Sequence, residues 1–206
     1  MARAVVCLGL LLVVSGCASS GPATTPTSPT ATTRSIATTA LDRAYTLNGG
    51  TFRYPSSWRL SRFDASSTMS TLIGYLSNQP LHDPCTRSAT SITCGTPVTS
   101  LSPTGVLVTW EQSGSPGQRL AQMPGSATTI GDRAARLDIP STPSDQCKAL
   151  KGTREIDASI LMTGMPSHDE LWRMTACLAD PAASQDTVIA VARSLRFARA
   201  ETQTAP

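Results

Sequence analysis

Two histidines, each followed by an aspartate, are the residues of this chain best suited to acid–base or metal chemistry. They lie in His82-Asp83-Pro84 and in His168-Asp169-Glu170. Imidazole and carboxylate groups bind metals and act as general acids and bases, so the two pairs would form one site if their loops met. Two separate polar loops explain the same residues, with Asp83 capping the turn at Pro84 and Asp169 or Glu170 facing solvent. We expect this second arrangement, with no metal and no cofactor.

A serine hydrolase would need a nucleophile beside one of these histidines. The signature Gly-x-Ser-x-Gly does not occur in the sequence, and Gly114-Ser115-Pro116-Gly117 has the composition of a turn. A triad built from distant residues would have only His82 or His168 as its base. The sequence therefore predicts no catalytic residue, and a cell-envelope hydrolase using His82 or His168 stays as the alternative function.

Four cysteines follow the first 40 residues: Cys85, Cys94, Cys147 and Cys177. Redox-active or zinc-binding thiols would favour a Cys-x-x-Cys pair, which does not occur. Two structural disulfides are the simpler interpretation, and four cysteines allow three pairings. Proximity favours Cys85 with Cys94, which leaves Cys147 with Cys177. Such bonds require an oxidising compartment.

The amino terminus indicates that compartment. Met1-Ala2-Arg3 precedes a mostly aliphatic run, Ala4–Val14, which is too short to span a bilayer and is typical of a signal peptide. The run ends at Val14, and the four residues that begin there, Val14-Ser15-Gly16-Cys17, resemble a bacterial lipobox. That resemblance implies that residues 1–16 are a lipoprotein signal peptide and that Cys17 carries acyl chains as the first mature residue. An ordinary secretory signal with an incidental Cys17 is the alternative.

Composition divides the remaining chain. Residues 17–40 are rich in Ser, Thr, Pro and Ala, so we expect a disordered tether from the lipidated Cys17. Residues 41–198 have the length and apolar content of a single globular domain, and residues 199–206 should fray. The formal net charge of +3 is too small for a nucleic-acid-binding surface. We therefore predict a protein held by lipid on the extracytoplasmic face of the cell membrane.

Period-two alternation predicts antiparallel strands, and Asn48-Gly49 predicts a hairpin turn between two of them. A second hairpin is predicted around Gly131-Asp132. On three strands the positions expected to face the core are Ala135, Leu137 and Ile139; Ile156, Ala158, Ile160 and Met162; and Trp172, Met174, Ala176 and Leu178. Arg136 and Asp138 are expected to face water, and Cys177 to face away from the core.

One helix is predicted after the last of these strands. Asp180-Pro181 supplies an N-cap followed by proline at the first helical position. Its buried stripe is Val188, Val191, Ala192 and Leu195. The three tryptophans are interpreted as core residues rather than as ligand platforms. A mildly basic region is compatible with contact to anionic lipid or wall polymer and equally with solvated strand edges; it comprises Arg133, Arg136, Lys148, Lys151 and Arg154.

Two segments resemble Mog1/PsbP-like domains, including those of actinobacterial LpqN-type lipoproteins. Residues 52–58, Phe-Arg-Tyr-Pro-Ser-Ser-Trp, resemble the aromatic-x-Tyr-Pro-x-x-Trp start of these domains, and the helix running into Ser194-Leu195-Arg196-Phe197 resembles their end. The resemblance implies an α/β sandwich over residues 41–198, in which helices cover an antiparallel sheet. Members are mostly non-enzymatic, so no catalytic residue is carried over. Four cysteines and a long Pro-rich loop at 78–104 depart from the pattern.

The sequence thus predicts a monomeric, lipid-anchored, extracytoplasmic binding or accessory domain that catalyses no reaction. Its partner would be an envelope protein, a wall polymer or a lipid, and not a nucleic acid. A solute-binding component of a transporter ranks last, because the folded part is small for a two-lobed architecture.

Overall fold

The computed structural model describes residues 39–63, 70–88 and 91–198. The predicted signal peptide, Cys17, the tether up to residue 38 and the tail from residue 199 lie outside the described residues. Within the described part, no helix is long and apolar enough to cross a membrane.

Strands dominate the described chain. They are β1 (Arg43–Leu47), β2 (Gly50–Tyr54), β3 (Arg59–Ser61), β4 (Ser70–Ser77), β5 (Cys85–Arg87), β6 (Ile92–Cys94), β7 (Val106–Ser113), β8 (Ser126–Ile130), β9 (Arg133–Asp138), β10 (Arg154–Gly164), β11 (Asp169–Leu178) and β12 (Arg196–Phe197). The helices are α1 (Asp145–Ala149) and α2 (Pro181–Arg193), with a 3₁₀ turn at Leu120–Gln122. The fold is a small α+β fold, with less helix than the sequence-based expectation of helices covering the sheet.

The main sheet has seven strands in the order β3-β4-β7-β11-β10-β9-β8, and every neighbouring pair is antiparallel. Strands β1, β2 and β12 form a second sheet, and β5 pairs with β6 alone. The β5–β6 hairpin lies within the long loop at 78–104.

Both predicted hairpin turns are confirmed, and their backbones show why these residues form them. Asn48 and Gly49 have φ of 47° and 76°, and Gly131 and Asp132 have φ of 56° and 64°. Two successive left-handed residues make the turn whose twist matches antiparallel strands. The turns join β1 to β2 and β8 to β9.

One face of the main sheet packs against α2, and we call it the core face. Trp110 and Trp172 are fully buried there, and Phe52 stacks on Trp110 with ring centroids 5.1 Å apart. Phe197 meets Trp172 edge-on at 5.5 Å. The third tryptophan, Trp58, is 6% exposed, so all three are core residues as predicted.

Helix α2 begins and packs as predicted. Asp180 accepts a hydrogen bond from the backbone N–H of Ala182 at 3.0 Å, with Pro181 in the first turn. The predicted apolar stripe is buried in the same cluster as the core face; its members are Val188, Val191, Ala192 and Leu195.

The disulfide pairing is also confirmed. Cys85 and Cys94 join β5 to β6 with Cα atoms 4.0 Å apart. Cys147 and Cys177 join α1 to β11 with Cα atoms 5.5 Å apart. Cys177 therefore faces away from the core, and it meets a helix on the opposite face of the sheet.

Candidate functional site

That opposite face carries a cavity of about 500 Å³. Its floor consists of side chains from β4, β7, β11, β10 and β9 that alternate with the core-face residues, and its walls include α1 and residues 95–97. We call this the sheet-face cavity, and we call the side of the sheet that carries it the cavity face. Strand register arranges the floor in three rows.

The middle row carries hydroxyl groups and one carboxylate. Tyr75 pairs with Thr109, Thr109 with Thr175, and Thr175 with Asp157 across four adjacent strands. The Thr175 hydroxyl donates a hydrogen bond of 2.8 Å to Asp157. Thr109 and Tyr75 continue this polar line toward β4.

A second row carries three charged side chains and one hydroxyl. Glu111 lies opposite Arg173, Arg173 opposite Ser159, and Ser159 opposite Arg136. Arg173 approaches the Glu111 carboxylate at 3.4 Å, and both side chains are partly exposed. Arg136 donates hydrogen bonds to the carbonyl oxygens of Pro124 and Gly125. Both guanidinium groups thus have partners within the protein.

The third row lies against α1 and is the most apolar. Leu107 is opposite Cys177, and Cys177 is opposite Glu155. The Glu155 carboxylate accepts a hydrogen bond from the backbone N–H of Ser144, the N-cap residue of α1. The Cys147–Cys177 disulfide and Leu150 pack in a second apolar cluster at this end. The wall formed by α1 is therefore held in place by the Cys147–Cys177 disulfide and by the hydrogen bond from Ser144 to the Glu155 carboxylate.

Asp157 is the ionisable group most affected by this environment. Burial is the main cause that raises its pKa, and the nearby Glu155 and Asp138 carboxylates raise it further. The hydrogen bond from Thr175 and the charge of Arg173 act in the opposite direction. Asp138 lies directly opposite Asp157 on β9, so two carboxylates form one cross-strand pair.

Three hydroxyl groups in the cavity have no hydrogen-bond partner in the part of the chain that the structure describes. They belong to Thr109, which is half-buried, and to Tyr75 and Ser159, which are buried at 9% and 7% exposure. Burial raises the pKa of the Tyr75 phenol, with a smaller contribution from Glu111, and so favours its protonated form. The three hydroxyl oxygens are not among the fully buried unpartnered atoms, so they are open to the cavity and available to a ligand.

The expectation that Arg136 and Asp138 face water is wrong. Both are half-buried on the cavity face, where Arg136 lines the cavity and Asp138 lies beside Asp157. The sequence did not distinguish an enclosed polar face from a solvated one. The run of polar residues at alternate positions of β10 and β11 was the signal available.

The histidines do not converge. His82 follows the end of β4 at Ser77, and its backbone N–H bonds to the Pro97 carbonyl. His168 lies in the β10–β11 turn, next to the Ser113 end of β7. Ser77 pairs with Leu107 near the other end of that strand, so the length of β7, about 23 Å, separates the two regions. Neither histidine lines the sheet-face cavity.

The aspartates that follow the histidines stabilise local turns. Asp83 accepts hydrogen bonds from Arg87 and from the Cys85 backbone N–H across Pro84, and these bonds lower its pKa. The predicted cap at Pro84 is therefore confirmed. Within the described ranges, no three His, Cys, Asp or Glu side chains form a group that could hold a metal ion.

The expectation that Asp169 simply faces solvent is wrong. Its side chain is 15% exposed and accepts hydrogen bonds from the Leu120 backbone N–H at 2.8 Å and from Arg119 at 3.1 Å. These bonds, chiefly the one from Leu120, lower the pKa of Asp169. Asp169 thus fixes the segment after β7 to the β10–β11 hairpin. The His168 ring instead hydrogen-bonds Ser167 at 2.9 Å through Nδ1.

No protein-family model matches the chain. No curated protein matches it either.

Proposed function

We propose that this protein is a lipid-anchored, extracytoplasmic binding domain that catalyses no reaction and holds a small polar ligand in the sheet-face cavity. The observation that carries the proposal is that three hydroxyls open to the cavity, on Tyr75, Thr109 and Ser159, have no partner within the described chain. They line a space of about 500 Å³, which is in the usual size range of small-molecule sites.

The cavity narrows the partner classes. An acyl chain would remove water from the ionised groups of the floor, which is energetically costly. A recess of this size also suits a small molecule or one unit of a polymer better than a flat protein surface. We therefore favour a polar solute or a wall-polymer unit over a lipid or an envelope protein.

The compartment and the family are part of the same proposal. The lipobox-like Val14-Ser15-Gly16-Cys17 supports an anchor at Cys17, and a disulfide-linked domain suits an oxidising compartment. A Mog1/PsbP-like relationship is supported by Phe52–Trp58 leading from β2 toward β3 and by a closing helix packed on the sheet.

Ligand binding can be tested by a thermal-shift screen of the full chain against small polar molecules. Thr109→Tyr places a large side chain in the cavity, whereas Thr86→Tyr makes the same change on the exposed β5 strand. We expect compounds that raise the Tm of the wild type and of Thr86→Tyr but not of Thr109→Tyr. If no compound raises the Tm, or if Thr109→Tyr responds equally, the cavity is not the binding site.

The anchor can be tested by fractionation of cells that express the chain with Cys17→Ser. We expect the wild type in the membrane fraction, with an acylated cysteine by mass spectrometry, and the variant in the supernatant after export. An unmodified wild-type amino terminus would remove the anchor from the proposal.

Among the described residues, the Ser167–His168 hydrogen bond is the contact that favours the hydrolase alternative. His82→Ala and His168→Ala, tested on ester and wall substrates, address it directly. Hydrolysis by the wild type that is abolished by His168→Ala would establish that alternative in place of a purely binding role.

A further inference from the structure

We propose that the sheet-face cavity selects an organic cation, a small polar molecule whose ammonium or guanidinium group binds the Asp157 carboxylate. This inference rests on the proposed function and names the chemical class of its ligand.

The first argument is the distribution of unneutralised charge. Glu155 and Asp157 are two positions apart on β10 and both line the cavity, and Asp138 lies opposite Asp157 on β9. Two carboxylates of the floor and a third beside it are thus close together. Like charges directly across two strands are unfavourable, and a bound cation would relieve that repulsion.

The second argument is that the cavity's own cations are engaged elsewhere. Arg173 pairs with Glu111, and Arg136 bonds to two backbone carbonyls. Asp157 accepts one hydrogen bond, from a neutral hydroxyl, and the described chain provides no salt bridge to it. The arginine contacts already offset part of the positive charge that an anionic ligand would use, whereas a cation finds the Asp157 carboxylate without a salt bridge in the described chain.

The third argument comes from the groups around Asp157. Ser159 is two positions along the same strand, and Tyr75 ends the row that contains Asp157. Both residues are mostly buried, and their hydroxyls are open to the cavity without partners in the described chain. They suit hydroxyl or amide groups on the body of the ligand. No metal-binding group is formed by the described residues, and the cavity has room for many atoms, which favours an organic cation over a bare ion.

The test is calorimetric titration of the full chain with four probes, at a pH where the amines are protonated and the carboxylates ionised. Glucosamine and agmatine are cations, glucose is a neutral molecule of nearly the same shape as glucosamine, and glucuronate is an anion. We expect glucosamine or agmatine to bind about tenfold or more tightly than glucose, and glucuronate to bind most weakly.

Variants locate the effect. Asp157→Asn keeps the acceptor for Thr175 and removes the charge, so cation affinity should fall about tenfold or more while glucose affinity stays the same. Asp186→Asn, at an exposed position of α2, is the matched control and should change neither. Ser159→Ala should lower the affinity of every probe whose own hydroxyl groups bind to Ser159.

The possible failures are distinguishable. If glucose or glucuronate binds as well as the cations and Thr109→Tyr abolishes that binding, the selectivity for cations is wrong and the proposed function stands. Cation binding that Asp157→Asn leaves unchanged would also overturn this inference. If no probe binds and the thermal-shift screen finds no cavity ligand, both proposals fall.

Discussion

The two faces of the main sheet are made by the same strands, yet they differ in almost every physical property. On β11, Trp172, Met174 and Ala176 are buried against the core, whereas Arg173 and Thr175 line the cavity. Aromatic rings and aliphatic side chains fill the core face. The cavity face has hydroxyls without partners and a carboxylate whose pKa is raised by burial.

This difference indicates how the fold divides stability from binding. Burial of apolar surface on the core face provides a large favourable term in folding. The cavity face holds a partly desolvated carboxylate, which reduces stability. The core face also carries a polar cost, because the buried indole nitrogens of Trp110 and Trp172 have no partner in the described chain. A strand with period two can carry both, because neighbouring residues point to opposite faces.

The largest expected effect comes from Trp172→Ala on the core face. Removing a fully buried indole should lower the free energy of unfolding by about 4 kcal/mol. Arg173→Ala, at the next position, should cost less than about 1 kcal/mol because its ion pair is partly exposed. Denaturant unfolding measures both, and equal losses would contradict the division between the faces.

The two disulfides offer the next comparison. In the chain-entropy account, Cys147→Ser with Cys177→Ser should cost about 4 kcal/mol, and Cys85→Ser with Cys94→Ser about 3 kcal/mol, because the first bond closes a longer loop. Only the first double variant frees the α1 wall of the cavity. Calorimetry with glucosamine should therefore show lost binding in that variant alone. Equal binding in both variants would mean that the α1 wall is not needed for ligand binding.

A smaller effect, of opposite sign, is expected for Asp157→Asn. Because the folded-state pKa of Asp157 is raised above its usual 3.8, the native state holds more protons than the unfolded state in the window between the two values. The stability contributed by this group therefore falls as pH rises through that window and stays low above it. The variant should be more stable than the wild type by about 0.5 kcal/mol at neutral pH, mainly because a charge that is costly to bury is removed, with smaller contributions from the repulsion by Glu155 and Asp138.

The stability difference between Asp157→Asn and the wild type should be near zero at acid pH and should grow as pH increases. Denaturant unfolding of the wild type and the variant at several pH values measures this difference, and Asp186→Asn serves as the control. A variant that is less stable than the wild type at neutral pH would mean that ionised Asp157 stabilises the fold.

The smallest effect is expected for Ser159→Ala. Its hydroxyl has no partner in the described chain, so its loss should change the free energy of unfolding by less than about 0.5 kcal/mol. Equilibrium unfolding checks this value. A loss well above it would show that the hydroxyl is part of the structure rather than free for a ligand.

The core face was predictable from the sequence, and the cavity was not. Alternation in residues 133–139, 154–162 and 171–178 identified the buried positions, because apolar residues at every second place have one explanation. The polar residues between them, such as Arg136 and Asp157, have the same pattern whether they face water or an enclosed space. What encloses them is α1, of five residues, together with the loop before β7, and neither carries a periodic signal.

The candidate catalytic residues show the same limit. Residue type drew attention to His82 and His168, but only strand order and register place them in different regions of the sheet. Conversely, Asp169 had no pattern that predicted its bonds to Leu120 and Arg119, since those partners are far along the chain.

The most direct test of the account is a methyl NMR titration of the full chain with glucosamine and agmatine. Leu107, Thr109 and Thr175 carry methyl groups on the cavity face, and Val106 and Val108 carry them on the core face of one of the same strands. The account predicts saturable shifts at the cavity-face methyls, with the core-face methyls nearly unmoved. Absence of saturable shifts, or equal shifts on both faces, would contradict it.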